Sequence, residues 1–529
     1  MKQYSNPILS GFYPDPSICR VGEDYYLVTS TFSYFPGIPV FHSKDLVNWT
    51  IISFAINRLS QADFTGLGVS KGIFAPTIRF HDDRFYISCT LVDGGGNFIV
   101  TSNDAAGPWS DIIWLPSVEG IDPSIFFDGD NAWIIYNSVA PGNKPDYNGH
   151  RTIRMMAFNI HQLTTQGEGF ILVNGGTDLS RKPRWIEGPH LFKKDGWYYL
   201  IAAEGGTGYD HSVVAFRSRN VMGPFEPFEN NPVLKQNQHR DFPVTSTGHA
   251  DLVETPSGNW HAVFLGCRPY KDDYYNTGRE TFLVPVTWIN GWPILNHEYE
   301  QVEFHYPLPL PEIKTVSNNY SGNFFVHENF KFPFPGSDWM FLRSPKDKWF
   351  ETNNGTLLIK LRPETCSGFG NPSFIARRQQ HMDCIVSCGL DFKANTENEK
   401  AGLIVFQNEE HFYYLCLSIE DGKPAIQLFQ SVLIPRDGCR MNLLLSTKFA
   451  DWQNTQLRIV CNRESYSFYY SLAEDNWMLL TEGIDAKFLS TATAGGFVGC
   501  VFGMYATSMG RESNNVVTFR SFEYKSGSS

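Results

Sequence analysis

Five short segments of similar character recur through the first 306 residues of the chain. Each has a polar turn that leads into an aromatic-rich, strand-like run, and successive segments start 48 to 64 residues apart: EDYYLVTSTF from residue 23, DDRFYISCTL from 82, DNAWIIYNS from 130, KDGWYYLIAAE from 194 and SGNWHAVFLG from 257. Repeats of this length built from short strands are typical of β-propellers, in which one repeat forms one four-stranded blade. The repeats predict a five-bladed propeller, with a β-sandwich punctuated by Pro and Gly as the alternative.

The pattern changes after a proline-rich segment, which indicates a second domain. The sequence YPLPLPEIKTVSNNY, residues 306–320, contains three prolines and shows little periodicity. Residues 307–320 are therefore predicted to connect a propeller over 1–306 to a second domain over 321–529.

Short alternating strands are indicated throughout the second domain. In DCIVSCGLDFKA, residues 383–394, apolar side chains occupy every second position, and GLIVFQNEEHFYYLCLSIEDGKPAIQLF, residues 402–429, has the pattern of three strands joined by polar turns. Such alternation is typical of antiparallel strands with one buried face and predicts a β-sandwich. No long helical periodicity is evident, so the whole chain is expected to be all-β.

Composition and charge exclude several classes of partner. The chain has 43 basic and 55 acidic residues, a formal net charge of −12, and no run rich in Lys or Arg, so no nucleic-acid partner is predicted. No segment approaches the roughly 18 consecutive apolar residues that span a bilayer, so no membrane partner is predicted. Aromatic residues reach 15%, which leaves rings to stack on flat neutral ligands such as sugars.

The cysteines and the N-terminus bear on the compartment. Ten cysteines are scattered, with Cys384 and Cys388 as the only close pair, and those in apolar runs, such as Cys89, are expected to be buried thiols. The N-terminal MKQYSNPILSGF has no apolar segment typical of a secretion signal. A cytoplasmic protein is predicted, or a periplasmic or secreted one if a leader has been removed.

Three acidic residues occur close to prolines in tight segments between predicted strands. The tripeptide Asp-Pro-Ser is found at Asp15-Pro16-Ser17 and again at Asp122-Pro123-Ser124, and Glu187-Gly188-Pro189 follows. Because proline fixes its own φ and biases the preceding residue to extended geometry, each carboxylate is expected to be held stiffly. Each motif alone is explained as an ordinary turn, but the three together indicate acid–base chemistry on a neutral substrate.

A resemblance to a known family strengthens this interpretation. The segments NPILSGFYPDPSICRVGEDYYLVTSTF, GIFAPTIRFH, GIDPSIFFD, EGPHLFKKDGWYYLIAAEGGTGYDHSV, TGHADLVE and GRETFLVPVTW resemble glycoside hydrolase family 43, in the family's order. The resemblance covers the first 300 residues and implies a five-bladed catalytic propeller. The remainder resembles the C-terminal, concanavalin-like β-sandwich of two-domain β-xylosidases and α-L-arabinofuranosidases in that family.

The resemblance implies a role for each acid. Asp15 is expected to be the general base that activates water, Glu187 the general acid that protonates the departing oxygen, and Asp122 the residue that orients the acid and raises its pKa by like-charge repulsion. An inverting hydrolysis needs the base and the acid on opposite faces of the sugar, roughly 6.5–9.5 Å apart. Acids from different blades around a central depression can meet that distance.

Further site residues are implied by matching motifs. Arg279 in GRET corresponds to an arginine that hydrogen-bonds sugar hydroxyls, although a salt bridge with Glu280 is an alternative. His249 in TGHAD corresponds to a histidine at the propeller centre that contacts the site or a hydrated divalent cation, although a structural pair with Asp251 is an alternative. The expected substrate-binding residues beside these two are Phe32, Phe74, Ile121, Thr207 and Phe497.

Two of these positions bear on specificity. Phe74 occupies a position that is Trp in many β-xylosidases of the family, so the preference between xylose and arabinose is left open. Phe497 in GGFVG corresponds to a sandwich loop that enters the active site, and closing one end of the pocket would enforce exo action.

The prediction is an exo-acting, inverting glycosidase. It would release terminal β-D-xylosyl or α-L-arabinofuranosyl units from oligosaccharides of xylan, arabinoxylan or xyloglucan. A non-catalytic carbohydrate-binding propeller is the alternative. No cofactor is required by this chemistry; a divalent cation such as calcium, held by His249, and assembly into a homo-oligomer are left open.

Overall fold

The computed structural model describes residues 2–236, 241–313, 320–331, 334–436, 439–452, 454–473 and 476–527. Within them the chain is almost entirely β-structure and forms a five-bladed propeller followed by a two-sheet sandwich, so the predicted all-β class is confirmed. The helical segments among these residues are a single turn or little more: Pro141–Asn143, Leu179–Arg181, Ala486–Leu489 and Thr491–Ala494. No helix in the described ranges is long and apolar enough to cross a membrane.

Each blade is an antiparallel sheet whose strands follow one another from the propeller axis outward. Blade 1 contains Ser17–Val21, Asp24–Val28, Gly37–Ser43 and Thr50–Ile56. Blade 2 contains Gly72–His81, Arg84–Val92, Gly96–Ser102 and Ile113–Trp114. Blade 3 contains Ile121–Asp128, Asn131–Val139, Arg151–Asn159 and Thr164–Asn174. Blade 4 contains Glu187–Lys194, Trp197–Glu204, Ser212–Ser218, Glu226–Pro227 and Leu234–Lys235, and blade 5 contains Thr245–Glu254, Trp260–Cys267, Glu280–Ile289 and Trp292–Leu295.

The five aromatic runs that predicted the propeller each supply the second strand of a blade. Their aromatic and aliphatic side chains, such as Tyr25 and Leu27, are buried between neighbouring blades. The first strands of successive blades contact one another in a ring, and blade 5 contacts blade 1. The ring brings the starts of these first strands together around the axis, which is where the site is built.

The predicted interdomain connection, 307–320, is described only in part. The strand His305–Pro307 pairs with the N-terminal strand Gln3–Ser5, and the Ile313 amide donates to the Asp45 carboxylate at 3.0 Å. Residues 314–319 lie outside the described residues. The division into 1–306 and 321–529 therefore stays a prediction.

The sandwich consists of two antiparallel sheets that share a buried apolar core. One sheet contains, in spatial order, Phe350–Asn353, Thr356–Lys360, Val516–Ser526, Asp383–Asp391, Thr455–Asn462, Ser465–Ser471 and Met478–Asp485, with Phe325–Glu328 also paired to Val516–Ser526. The other contains Cys439–Lys448, Lys423–Arg436, His411–Glu420, Lys400–Asn408, Val501–Thr507, Ser373–Arg378 and Met340–Leu342. The alternating run from Asp383 and the three consecutive strands from Lys400 are confirmed.

The two domains are joined by backbone pairing and by a shared core. The short strand Tyr34–Phe35, which leaves blade 1, pairs with Met340–Leu342 at the edge of the second sandwich sheet. The buried Arg343 guanidinium contacts the Glu409 carboxylate, and that carboxylate also accepts the Val69 amide of the propeller at 2.9 Å. A charge pair satisfied from both domains fixes the sandwich firmly against the propeller.

Candidate active site

The three acids line one cavity, as the sequence-based interpretation requires. Asp15 precedes the first strand of blade 1, Asp122 is the second residue of blade 3, and Glu187 opens blade 4. The cavity has a volume of about 80 Å³, and its other lining residues are Phe74, Ala75, Ile121, Trp185, Thr207, His211, His249, Arg279 and Phe497. The chemical roles of the acids stay predictions, but their convergence is a feature of the fold.

The backbone of the two Asp-Pro-Ser motifs is not extended as expected. Asp15 and Asp122 both have φ of 55°, in the left-handed region. Aspartate tolerates this region better than most residues, and such geometry persists only where the surroundings fix it. Tertiary contacts therefore override the local preference set by proline, and the same backbone conformation is used in both motifs.

The serine of each motif fixes its strand to a neighbouring blade. Ser17 donates to the Asp251 carboxylate of blade 5 at 2.8 Å, and Ser124 donates to the Pro189 carbonyl of blade 4 at 2.6 Å. Both hydroxyls are buried, so each bond is sheltered from water. The motif thus has two functions: the acid faces the cavity and the serine holds the blades in register.

Asp15 lies in a positive environment. Its carboxylate accepts the Ser30 hydroxyl at 2.6 Å, and Arg279 Nη1 and His249 Nδ1 lie 3.4 and 3.7 Å from its other oxygen. Burial on its own raises the pKa of Asp15, but Arg279, His249 and the Ser30 hydrogen bond outweigh it and hold the pKa below its ordinary value. Asp15 is therefore ionised at neutral pH, as a general base must be.

Asp122 and Glu187 lie in a negative environment and titrate as a pair. Burial, then the charges of Glu187 and Asp15, raise the pKa of Asp122 well above its ordinary value. Burial also raises the pKa of Glu187 to about 7, against the opposing effect of Arg151 and Arg279. The pair retains a proton near neutral pH, which a general acid requires.

Gly188 allows Glu187 and Asp122 to approach each other. Its amide donates to the Asp122 carboxylate at 3.1 Å, so the backbone beside Glu187 is bonded directly to the other acid. Its φ is 53°, and a Cβ at this position would lie 2.8 Å from the His249 ring. A glycine between Glu187 and Pro189 is therefore required by both conformation and space.

The structure decides against the alternative partners of Arg279 and His249, which were Glu280 and Asp251, because both of these acids are paired with other residues. Glu280 is paired with Arg268, at 2.5 and 2.7 Å, and not with Arg279. Asp251 is paired with Arg79, at 2.8 and 3.1 Å, so its acceptors are occupied away from His249. Both Arg279 and His249 instead point to Asp15.

The predicted wall residues fall into two groups. Phe74, Ile121, Thr207 and Phe497 line the cavity. Phe32 does not, because it is 0% exposed and packs behind Phe74 and Phe497, with ring centroids 5.4 and 6.2 Å away. The prediction that Phe32 contacts the sugar is wrong in this structure; the residue supports the two rings that do line the cavity.

Phe497 reaches the propeller from the sandwich. Its amide donates to the Ser70 hydroxyl at 2.9 Å, and its ring centroid lies 5.3 Å from the Arg279 guanidinium carbon. A ring held on one side by a hydrogen-bonded backbone and on the other by a cation–π contact is firmly placed. The sandwich therefore supplies one wall of the cavity.

Sequence reasoning missed four residues of the site: Ala75, Trp185, His211 and Ser30. Trp185 lies two residues before Glu187, and an aromatic residue beside a predicted acid was an available signal. His211 Nδ1–H donates to the Ser246 carbonyl at 3.0 Å, and burial lowers the pKa of His211 to about 4, so the ring is neutral. Ser30 bonds Asp15 and also accepts the Ala75 amide, a contact that no sequence motif indicates.

No ligand set for the metal predicted at His249 is found in the part of the chain that the structure describes. No group of three or more His, Cys, Asp or Glu side chains within the described ranges could hold a metal ion. Burial lowers the pKa of His249. A divalent cation at this residue stays a prediction, and no step below depends on it.

Comparison with known proteins identifies the family. The model for glycosyl hydrolases family 43 matches residues 4–293, and that for the beta xylosidase C-terminal concanavalin A-like domain matches residues 327–525. The chain belongs to glycosyl hydrolase family 43. It is a glycosidase, and the alternative of a non-catalytic binding propeller is set aside.

Relatives match along the whole chain. A xylosidase/arabinosidase from Butyrivibrio fibrisolvens is 38% identical over 526 residues, which are 98% of each chain. A non-reducing end alpha-L-arabinofuranosidase from Bacteroides ovatus is 36% identical, covering 99% of this chain and 95% of the relative. Among solved structures, a xylan beta-1,4-xylosidase from Bacillus halodurans superposes with a TM-score of 0.88 at 31% identity, covering 99% of this chain and 100% of that one.

Proposed function

We propose that this family 43 enzyme removes single terminal β-D-xylosyl or α-L-arabinofuranosyl residues from hemicellulose oligosaccharides, with inversion at the anomeric carbon. One observation carries the proposal: a small cavity contains an ionised carboxylate beside Arg279 and, from other blades, a pair of carboxyls that holds a proton. A base and an acid are therefore present together at the same pH.

The mechanism follows from these charge states. Asp15 takes a proton from a water molecule, which attacks the anomeric carbon as the glycosidic bond breaks. Glu187 donates its proton to the departing oxygen, so the leaving group departs as a neutral alcohol. The two acids supply both proton transfers, and the proposed reaction needs no cofactor.

Exo action is supported by the size and closure of the cavity. Its volume of about 80 Å³ holds at most a small group such as one sugar ring. Phe497 forms one wall and is anchored to Ser70, so an internal segment of a polysaccharide has no continuous path through the site. A chain end is the part of the substrate that fits.

The choice between the two pentoses is left to experiment, since the named relatives include both xylosidases and arabinofuranosidases. Phe74, a ring smaller than Trp, lines the cavity, and its ring centroid lies 5.5 Å from that of Phe497.

Turnover of nitrophenyl β-D-xyloside and α-L-arabinofuranoside tests the substrate, and NMR of the first-formed anomer tests the stereochemistry. We expect cleavage of at least one glycoside, release of monosaccharide from xylo-oligosaccharides, and an initial anomer opposite to that of the substrate. Retention of configuration would remove the role of Asp15. Release of internal oligosaccharides would contradict exo action.

A further inference from the structure

The proposed mechanism leaves Trp185, an aromatic residue of the cavity wall, without a role. Trp185 is two residues before Glu187, and both residues line the catalytic cavity. Ile186 between them is 0% exposed and packs in the apolar core between blades 3 and 4. The indole and the proposed general acid therefore belong to the same stretch of wall.

The cavity has a buried floor and a partly exposed rim. Asp15, Asp122 and Arg279 are buried and belong to the floor, whereas Trp185 and Glu187 are partly exposed and belong to the rim. The terminal sugar must reach the base, so it occupies the floor. The leaving group must receive the proton of Glu187, so it lies at the rim beside this residue.

Two loops hold the indole of Trp185 by its edges. A Cβ on Gly149, between the second and third strands of blade 3, would lie 2.8 Å from Cδ1 and 3.0 Å from Nε1 of Trp185. A Cβ on Gly206, in the equivalent loop of blade 4, would lie 3.6 Å from Cε3. Cδ1 and Cε3 are on opposite edges of an indole, so the two backbones grip the ring edgewise and not across its faces.

The faces of the indole are less enclosed than its edges. The ring contact of Trp185 is with Arg184, whose guanidinium carbon lies 5.8 Å from the ring centroid. A single cation covers at most one face of the ring. The other face is left for a ligand in the cavity that Trp185 lines.

The backbone of Trp185 is fixed in an uncommon conformation. Its φ is 51°, in the left-handed region that bulky residues rarely adopt. The Trp185 amide donates to the Gly149 carbonyl at 2.8 Å, and the Gly205 amide donates to the Arg184 carbonyl at 2.8 Å. Such conformations cluster at functional sites, where the surrounding contacts hold them. The indole is therefore in place before a substrate arrives.

We propose that Trp185 is the specificity-determining residue for the leaving group, and that its indole stacks on the sugar ring that departs. The proposal rests on the proposed function, because it assigns the binding of the leaving group in that same reaction. A sugar ring presents an apolar face that packs on an aromatic ring, and Trp185 supplies this ring next to the residue that protonates the departing oxygen. The preferred substrate is therefore an oligosaccharide and not the glycoside of a simple alcohol.

Two substrates with similarly poor leaving groups test the proposal. One is a disaccharide in which the pentose that the parent enzyme releases is linked to xylose, and the other is the methyl glycoside of that pentose. Both need the proton of Glu187, but only the disaccharide has a departing ring to stack. We expect Trp185→Ala to lower kcat/KM for the disaccharide about tenfold or more, which corresponds to roughly 1.4 kcal/mol, and to leave kcat/KM for the methyl glycoside unchanged.

Three further variants serve as controls. Trp185→Phe keeps a ring and should keep most of the preference for the disaccharide. Trp185→Leu fills part of the same space without a ring, so it should show the same loss as Trp185→Ala and replaces that variant if it does not fold. Trp114→Ala, which removes a 42% exposed indole on blade 2, should behave as the parent enzyme. Inhibition by the free pentose, which occupies only the floor, should be equal in all of them.

Two results would overturn the proposal. Equal losses with the disaccharide and the methyl glycoside would show that Trp185 acts on Glu187 or on the terminal sugar. An unchanged kcat/KM for the disaccharide in the variants without a ring would show that the leaving group lies elsewhere. A parent enzyme that hydrolysed neither substrate and no nitrophenyl pentoside would instead reject the proposed function.

Discussion

The two Asp-Pro-Ser motifs share a sequence and a backbone conformation but differ in electrostatics. Asp15 and Asp122 have the same φ and line the same cavity. Asp15 contacts Arg279, and its pKa is held below the ordinary value, whereas Asp122 lies beside Glu187 and its pKa is raised well above that value. The tripeptide therefore presents a carboxylate, and the facing blades decide whether that group gives up or retains a proton.

The largest expected effect separates the base from the acid. Asp15→Asn should lower kcat/KM by about 10²- to 10⁴-fold for every substrate, because no other ionised group is placed to activate water. Glu187→Gln should lower kcat/KM by about as much for substrates with poor leaving groups. It should lower kcat/KM far less for dinitrophenyl glycosides, because the dinitrophenolate leaves without protonation. Steady-state kinetics with both leaving groups measures the contrast.

Asp24→Asn is the control for these substitutions, because Asp24 is on the surface of the same blade and is paired with Lys44. It should keep full activity. An Asp15→Asn enzyme whose activity recovered with the better leaving group would contradict the assignment of the base.

The next effect concerns the charge that distinguishes Asp15. Arg279→Met removes the nearest cation, so the pKa of Asp15 should rise and the acid limb of the kcat/KM profile should move to higher pH. At the pH optimum, kcat/KM should fall roughly 10- to 100-fold, which corresponds to the free energy of a hydrogen bond to a charged group. The pH profile is the measurement, with Arg58→Met, which removes a surface pair with Asp111, as control. An acid limb that stays in place would show that Arg279 does not tune Asp15.

A smaller effect is expected from the second motif. The pKa of Asp122 is raised well above its ordinary value, so this carboxyl is protonated while Glu187 titrates near pH 7. Asp122→Asn therefore replaces one neutral group by another and keeps an oxygen for the Gly188 amide, and the basic limb of the kcat/KM profile should stay near pH 7. The pH profile is the measurement. A basic limb that moved to lower pH would show that Asp122 is negatively charged while Glu187 titrates, and it would contradict the account.

The smallest effect concerns stability and the two serines. Ser17→Ala removes a bond to the charged Asp251 and an acceptor for the Ile78 amide, and it should lower the free energy of unfolding by about 1.5–3 kcal/mol. Ser124→Ala removes one bond to the Pro189 carbonyl and should cost about 1 kcal/mol. Urea unfolding of both variants measures the difference. Equal losses would indicate that the charge of Asp251 does not matter to the inter-blade contact.

The fold was predictable because its signal is local and repeated. Each aromatic run behind a polar turn is a blade's second strand, and the alternation from Asp383 has its apolar face in the sandwich core. The strand Tyr34–Phe35 was not predictable, because it is two residues long and its partner, Met340–Leu342, lies more than 300 residues away in the chain.

The acids of the site were predictable from motifs, but their surroundings were not. The left-handed backbone of Asp15 and Asp122 depends on contacts with other blades, which outweigh the preference that proline imposes locally. Phe32 matches a wall position by motif, yet two rings from other segments cover it completely. Ser30 carries no motif and is brought to Asp15 by the antiparallel geometry of blade 1.

The central claim is that identical motifs hold carboxyls in opposite protonation states, and infrared difference spectroscopy of the carboxyl C=O stretch tests it most directly. Between about pH 5 and pH 9 the account predicts two buried, protonated carboxyl bands: one from Glu187, which disappears as pH rises through about 7, and one from Asp122, which persists above that pH. The Asp122 band should persist in Asp15→Asn and should be missing from Asp122→Asn. A persistent band that vanished in Asp15→Asn, or that remained in Asp122→Asn, would contradict the account.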